Sequence, residues 1–165
     1  MFSKEFALER IRKIADYQFG KGVGEHLFPD DVKIVFSKGT GRIRHVYLNG
    51  ILLATLNPVT GFFSLTIEGA RRVFSSMKVK RLWVKIRSDA VPFVEKGSDV
   101  FAKHVADSDE EILPGEEVII IDDCGDVVAV GRALLSGAEM KAFKRGIAVK
   151  VRRGKSEEIK ERNEI

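Results

Sequence analysis

The residues best suited to chemistry in this chain of 165 residues are its three histidines, its single cysteine and one nearby serine–histidine pair. His26, His45 and His104 have no histidine, cysteine or carboxylate at metal-ligand spacing around them, so a transition-metal centre would need partners assembled by the fold alone. Ser98 and His104 form the local nucleophile–base pair, but neither a GxSxG elbow nor an oxyanion loop accompanies them. Asp107, Asp109, Glu110 and Glu111 read as an acidic loop and Asp122-Asp123 as a turn, which gives paired-acid catalysis little footing. Cys124, alone and beside Gly125, can neither close a disulfide nor build a thiolate metal site, and it suits a reducing compartment. No catalytic residue, metal or cofactor is expected.

Binding chemistry is better served. In the stretch Val94–Val105, Gly97 lets another backbone approach and Ser98 offers an oxygen to unpaired N–H groups, a combination that can seat a phosphate. The spacing predicts a helix over Asp99–His104, with Phe101 either a core anchor or a platform for a stacked base. A second glycine-rich segment places Gly20, Gly22 and Gly24 at alternate positions. It is neither a Walker loop nor a dinucleotide fingerprint, and reads as a tight turn or as an anion loop with Lys21 its charged contact.

Charge points the same way. The net charge is +4, and residues 1–79 hold 12 Lys and Arg against 7 Asp and Glu, while residues 80–154 hold 13 against 13. A basic half joined to a neutral half that segregates its charges fits an acidic polymer as partner, through counterion release. The longest apolar runs, such as Val118–Ile121 and Val127–Val130, fall far short of the roughly 20 residues of a membrane span. The N-terminus enters directly into an amphipathic pattern containing Glu5 and Glu9, unlike a signal peptide, so a cytoplasmic location and no membrane partner are expected.

The elements that must position these groups follow from periodicity. Ser3 opens a helix with Leu8, Ile11, Ile14 and Ala15 on one face. Strands are predicted over Val32–Phe36, Ile43–Leu48, Ile51–Leu56 and Phe62–Ile67, with Asn49-Gly50 as a two-residue type I′ turn. A helix over Glu68–Met77 then turns Arg71 and Arg72 outward. The result is an α+β domain of helix, antiparallel meander and helix over residues 1–78. Beyond it, strands over Leu82–Ile86, Val118–Ile121, Val127–Leu135 and Ile147–Arg152 imply a compact β barrel over residues 79–154. Within it Pro114-Gly115 forms a type II turn, Gly131 marks a bulge or close crossing, and Ser136 caps a helix over Ala138–Phe143. Residues 155–165 form a charged tail, frayed or disordered.

From Leu82 onward, VEKGSDVFAKHV, LPGEEVIIID, VVAVGRALLSG and MKAFKRGIAVKVRRG resemble a PUA domain, a small RNA-binding β pseudo-barrel of tRNA- and rRNA-modification enzymes. Before it, ADYQFGKGVGEHLFPDDVKIVFSKGTGRIRHVYLNGILLATL and FFSLTIEGARRV resemble the patch-forming domain that precedes PUA in archaeal tRNA-guanine transglycosylase, the archaeosine enzyme. That family's catalytic barrel and zinc cysteines lie upstream and have no counterpart in this sequence, which removes the base exchange and leaves the part that grips tRNA. The resemblance implies that the acceptor stem and 3′ end of tRNA contact Lys96, Gly97, Ser98, Phe101 and Lys103 of the opening element and Lys150, Arg152 and Arg153 of the closing strand. Arg42, Arg44, Arg71 and Arg72 extend the basic track if they share a face.

The expectation is therefore a non-catalytic RNA-binding protein for tRNA, acting alone or as a subunit beside a separate modification enzyme. Two alternatives stand beside it. One is a scaffold in which the Phe62-Phe63 strand or the first helix docks a split transglycosylase. The other is a small RNA-modifying enzyme using Asp16, Glu25 or His26 near the glycine loop.

Overall fold

In a computed structural model of the protein, which describes residues 3–158, the chain divides into two compact units, Met1–Val79 and Lys80–Ile165. In the first unit Ser3 caps α1 (Lys4–Phe19) by accepting the Phe6 N–H. Ala7, Leu8, Ile11, Ala15 and Phe19 form its buried stripe, while Ile14 is only half buried. Gly20 and Gly22 adopt φ of +134° and +87°, and a short helix that periodicity had not signalled, α2 (Val23–Leu27), follows at once. A Cβ at Gly24 would lie 2.2 Å from the Arg12 carbonyl oxygen, and the Gly24 N–H donates to the Asp16 carboxylate at 2.7 Å. The three-glycine segment is thus a close crossing of two helices.

Four antiparallel strands follow in sheet order β1 (Lys33–Phe36), β2 (Ile43–Leu48), β3 (Ile51–Leu56) and β4 (Phe63–Leu65). Asn49 and Gly50 take φ of 50° and 79°, the two positive values a type I′ turn requires. β4 stops at Leu65 rather than Ile67, because Thr66 caps α3 (Ile67–Ser76). Its side chain accepts the Gly69 N–H at 3.1 Å and its hydroxyl donates to the Leu52 carbonyl at 2.7 Å. Gly69 faces β3 so closely that a Cβ would meet the Leu53 carbonyl oxygen at 2.0 Å. Val46, Leu53, Ala54, Leu65, Ala70 and Val73 close this core.

The second unit is a six-stranded sheet curled into a nearly closed barrel, in order β6 (Val100–Phe101), β10 (Ile147–Gly154), β9 (Val127–Ala133), β8 (Glu117–Ile121), β5 (Trp83–Ile86) and β7 (Val105–Ser108). All neighbours are antiparallel except β5 with β8. Its short helices are α4 (Val91–Val94) and α5 (Gly137–Ala142). Ser136 caps α5 in a full capping box with Glu139, as its position implied. Gly115, at φ +93°, takes the position a type II turn reserves for glycine. Gly131 marks a close crossing, since a Cβ there would lie 2.3 Å from the Lys150 carbonyl oxygen of β10. The core is nearly all aliphatic, including Val84, Ile86, Ile112, Ile119, Ile120, Val128 and Val130.

Two expectations fail here for traceable reasons. No helix forms over Asp99–His104. The helical turn comes earlier, as α4, while Val100 and Phe101 pair with Val149 and Ile147 of β10, and Ala102–His104 make one 3-10 turn. Asp99 is the cause: its carboxylate accepts the Val151 N–H at 3.0 Å, which draws the segment onto the sheet edge instead of capping a helix. The acidic loop is in part a strand, β7, and Asp109 closes the turn after it. One carboxylate oxygen of Asp109 accepts the Glu111 N–H at 3.0 Å, and the other accepts the Leu82 N–H at 2.7 Å, fixing Leu82 at a φ of +60° rarely taken by leucine. Of the charged tail, residues 155–158 form a helical turn, and the rest lies outside the described residues.

Candidate nucleic-acid interface

The pairing of β6 with β10 sets Val100 opposite Val149 and Phe101 opposite Ile147, so the Lys96–Lys103 segment runs along the closing strand with Asp99 beside Lys150 and Lys103 at the far end from Arg152 and Arg153. The seat at Gly97 is differently built from a phosphate cradle. Gly97 has φ +107°, but its N–H donates to the Val94 carbonyl and that of Ser98 to the Phe93 carbonyl, so neither points at a ligand. The space a side chain would take is filled by the Glu157 carboxylate, 2.5 Å from an added Cβ, and Glu157 also accepts the Gly154 N–H at 2.9 Å. The Ser156 N–H donates to the Glu95 carbonyl at 3.0 Å, so the turn after β10 lies against the α4 end. Ser98 and Lys96 remain exposed. No hydrogen bond joins Ser98 to His104 among the described residues, which leaves that pair without nucleophile geometry.

On β10, Lys150 and Arg152 project to the exposed face, but their charges are differently committed. The Lys150 ammonium lies 3.3 Å from Asp99 and stays 62% exposed, an ion pair that a phosphate can displace at small cost. Arg152 forks onto both oxygens of Glu117, at 2.6 and 2.5 Å, and the Glu117 side chain is only 7% exposed. That arginine neutralises a nearly buried carboxylate inside the sheet. Arg153 follows a bulge in the β10–β9 register and is half buried.

Another group of open charge lies where β10 begins. Phe101 is 42% exposed, with His104 edge-on at 6.2 Å and the Lys103 ammonium 6.0 Å from its ring centre. Phe101 is therefore not a core anchor. Ala102 donates its N–H to the Gly146 carbonyl at 2.9 Å, so Lys144 and Arg145, both exposed, come up beside Lys103 and Phe101. Lys103, Lys144 and Arg145 have no ion-pair partner among the described residues. The run Phe143-Lys144-Arg145-Gly146 carries the signal in its basic pair before a strand-opening glycine, but only the β6–β10 pairing brings it to the Phe101–Lys103 segment. Such a cluster can hold phosphates and stack a base.

In the first unit, Arg42 is exposed at the start of β2 and Arg44 is half buried within it. Arg71 is exposed and 3.7 Å from Glu68. Arg72, expected to turn outward, instead bends back and donates to the His26 carbonyl at the end of α2 at 2.5 Å, because the last carbonyls of a helix lack intrahelical donors. Among the histidines, His45 bonds Thr55 at 3.1 Å through Nδ1, and none joins a metal-ligating group among the described residues. Asp122, Asp123 and Cys124 do bring their ligand atoms within 4.8 Å of one another. This is an exposed turn in which Asp122 already accepts the Cys124 and Asp126 N–H groups. The charges of Asp123 and then Asp122 push the Cys124 thiol above its ordinary pKa.

Comparison with known proteins places this geometry. Residues 9–80 match the patch-forming domain C2 of tRNA-guanine transglycosylase and residues 83–155 match the PUA domain. The chain is 42% identical over 158 residues to a tRNA-guanine(15) transglycosylase of Thermoplasma volcanium, a match covering 95% of this chain and 25% of that protein. The chain thus spans about a quarter of the length of the curated relatives it matches, and their catalytic barrel has no counterpart in these residues. Two solved structures share the fold over nearly their whole length. A hypothetical protein of Pyrococcus horikoshii has TM-score 0.74 and 24% identity, covering 97% of this chain and 96% of that one. A PUA domain protein of Thermoplasma acidophilum has TM-score 0.66 and 20% identity, covering 96% and 94%. The chain belongs to the family that joins the patch-forming C2 domain of tRNA-guanine transglycosylase to a PUA domain, and it matches the non-catalytic part of those enzymes.

Proposed function

We propose that this protein is a non-catalytic RNA-binding protein that recognises tRNA, alone or as a subunit beside a separate RNA-modification enzyme. The observation that carries the reading is the open cluster at the start of β10: the Phe101 ring at 42% exposure beside three uncommitted cations, Lys103, Lys144 and Arg145. In the reading proposed here, phosphates sit on these cations and on Lys150 and Lys96, and one base stacks on Phe101. Arg152 has a structural task, and Gly97 gives room to Glu157 rather than to RNA. Similarity to enzymes named for acting on a tRNA guanine supports tRNA as the RNA class.

The test is binding of tRNA to the full chain over a salt series. Affinity should fall linearly in log–log form, and Lys103→Ala, Lys144→Ala and Arg145→Ala should each weaken binding and flatten the slope by about one released counterion. An affinity that is weak and flat at low ionic strength ends the proposal. A modification enzyme that co-purifies after nuclease treatment, with tRNA affinity absent, replaces it with the scaffold reading.

A further inference from the structure

The first unit holds an aromatic feature that the cluster on the barrel leaves unused. Tyr17, near the end of α1, is 81% exposed, and its ring lies parallel to that of Phe62 at 6.0 Å between centres and 6° between planes. Phe62 is itself 42% exposed. A tyrosine with four-fifths of its surface in water gains little for the fold from burial, so the fold does not account for this pair.

The pair is nevertheless firmly built. Gln18, next to Tyr17, docks on the residue next to Phe62: its amide N–H donates to the Phe63 carbonyl at 2.9 Å, and its oxygen accepts the Phe63 N–H at 2.8 Å. This pair of hydrogen bonds fixes the helix end against β4 and sets the two rings face to face. The loop before Phe62 is braced as well, with Asn57 accepting the Val59 N–H at 2.8 Å and the Gly61 N–H returning to the Asn57 carbonyl at 2.8 Å. Rings held in place in advance lose little freedom when a third ring stacks on them.

The surroundings are cationic. Arg10 and Lys13 precede Tyr17 by seven and four residues and share its exposed helix face, and Lys21 lies exposed in the turn just past the helix end. Arg10 and Lys21 have no ion-pair partner among the described residues, and Lys13 pairs only with Glu9, both side chains being mostly exposed. Asp16, the acid adjoining Tyr17, is turned inward onto the Gly24 N–H.

We infer that Tyr17 and Phe62 form a second RNA contact, a platform on which one unpaired base stacks while Arg10, Lys13 and Lys21 hold the flanking phosphates. Stacked rings accept any base, so the site selects single-stranded or bulged nucleotides over duplex, without sequence preference. The inference takes its ligand class from the RNA-binding reading but is independent of the barrel cluster.

The experiment uses the full chain with two probes of equal length and charge, a 12-nucleotide oligouridylate and an abasic ribose-phosphate strand, read by fluorescence anisotropy. Tyr17→Ala and Phe62→Ala should weaken oligouridylate binding about 5- to 100-fold. Binding of the abasic strand, the salt slope and the melting temperature should stay unchanged, and Tyr17→Phe should bind like the parent. The same losses should persist in a Lys103→Ala, Lys144→Ala, Arg145→Ala background. Unchanged oligouridylate affinity in both alanine variants overturns the inference while leaving the barrel reading intact. Equal losses on both strands overturn it too, since no base is then being read. A protein partner captured in nuclease-treated extract through Tyr17, with oligouridylate affinity intact, assigns the platform to protein docking and overturns it. Loss in the Tyr17 variants with an unaffected triple background supports the platform and sinks the barrel cluster instead.

Discussion

At the residue scale, identical side chains on one strand have different duties, and the neighbours decide which. Lys150 and Arg152 alternate outward on β10, yet one faces a partly exposed Asp99 and the other forks onto nearly buried Glu117. Replacing Arg152 with Ala strands a carboxylate in the sheet and should destabilise the protein by about 1–3 kcal/mol, read as a lower urea midpoint. Lys150→Ala should change stability by no more than about 0.5 kcal/mol, leaving the urea midpoint nearly where it was, and act on RNA affinity alone. Equal midpoints for the two variants would refute the division of labour. Cys124 offers a second test. Because Asp123 and Asp122 disfavour the thiolate, its alkylation should be slow at neutral pH and rise only above the usual thiol range. Asp123→Asn should shift that rate profile to lower pH, and added salt should do the same in the parent.

At the scale of elements, caps and close crossings set the boundaries that the apolar pattern blurs. Thr66 ended β4 two residues before the expected stop and started α3, and Asp99 recruited Val100-Phe101 to the sheet where a helix was expected. Both residues are good cap formers, so sequence pattern alone has no means of telling a carboxylate that caps a helix from one that bonds a distant strand. The glycines behave likewise. Gly24, Gly69 and Gly131 each leave room for a backbone carbonyl within 2.3 Å of where a Cβ would sit. Gly69→Ala should therefore push α3 off β3 and lower stability by about 2 kcal/mol or more, measured by thermal melting. A loss below about 0.5 kcal/mol would mean that the helix slides without cost.

At the scale of the whole molecule, the chain passes from one compact unit to the next between Val79 and Lys80, with Lys78, Val79 and Lys80 exposed. Brief trypsin treatment should cut first after Lys78 and release two fragments that mass spectrometry assigns to the two units; early cuts elsewhere in the barrel would contradict that division. The candidate site was legible in part. The resemblance points to Lys96, Phe101, Lys103 and Lys150, whereas nothing local in the sequence points to Lys144 and Arg145, because the Phe101–Lys103 segment they approach lies more than forty residues away in the chain. The sequence by itself determined which segments alternate every two residues or return every 3.6, where Asn49-Gly50 must turn, and that two modules follow one another, since these depend on contacts within a few residues. Only the tertiary structure decided that Glu157 fills the niche at Gly97, that Arg152 and Arg72 are spent inside the fold, and that Tyr17 meets Phe62. Each is a contact between residues far apart in the chain, and the direction of a side chain at such a contact is set by the partner it finds there.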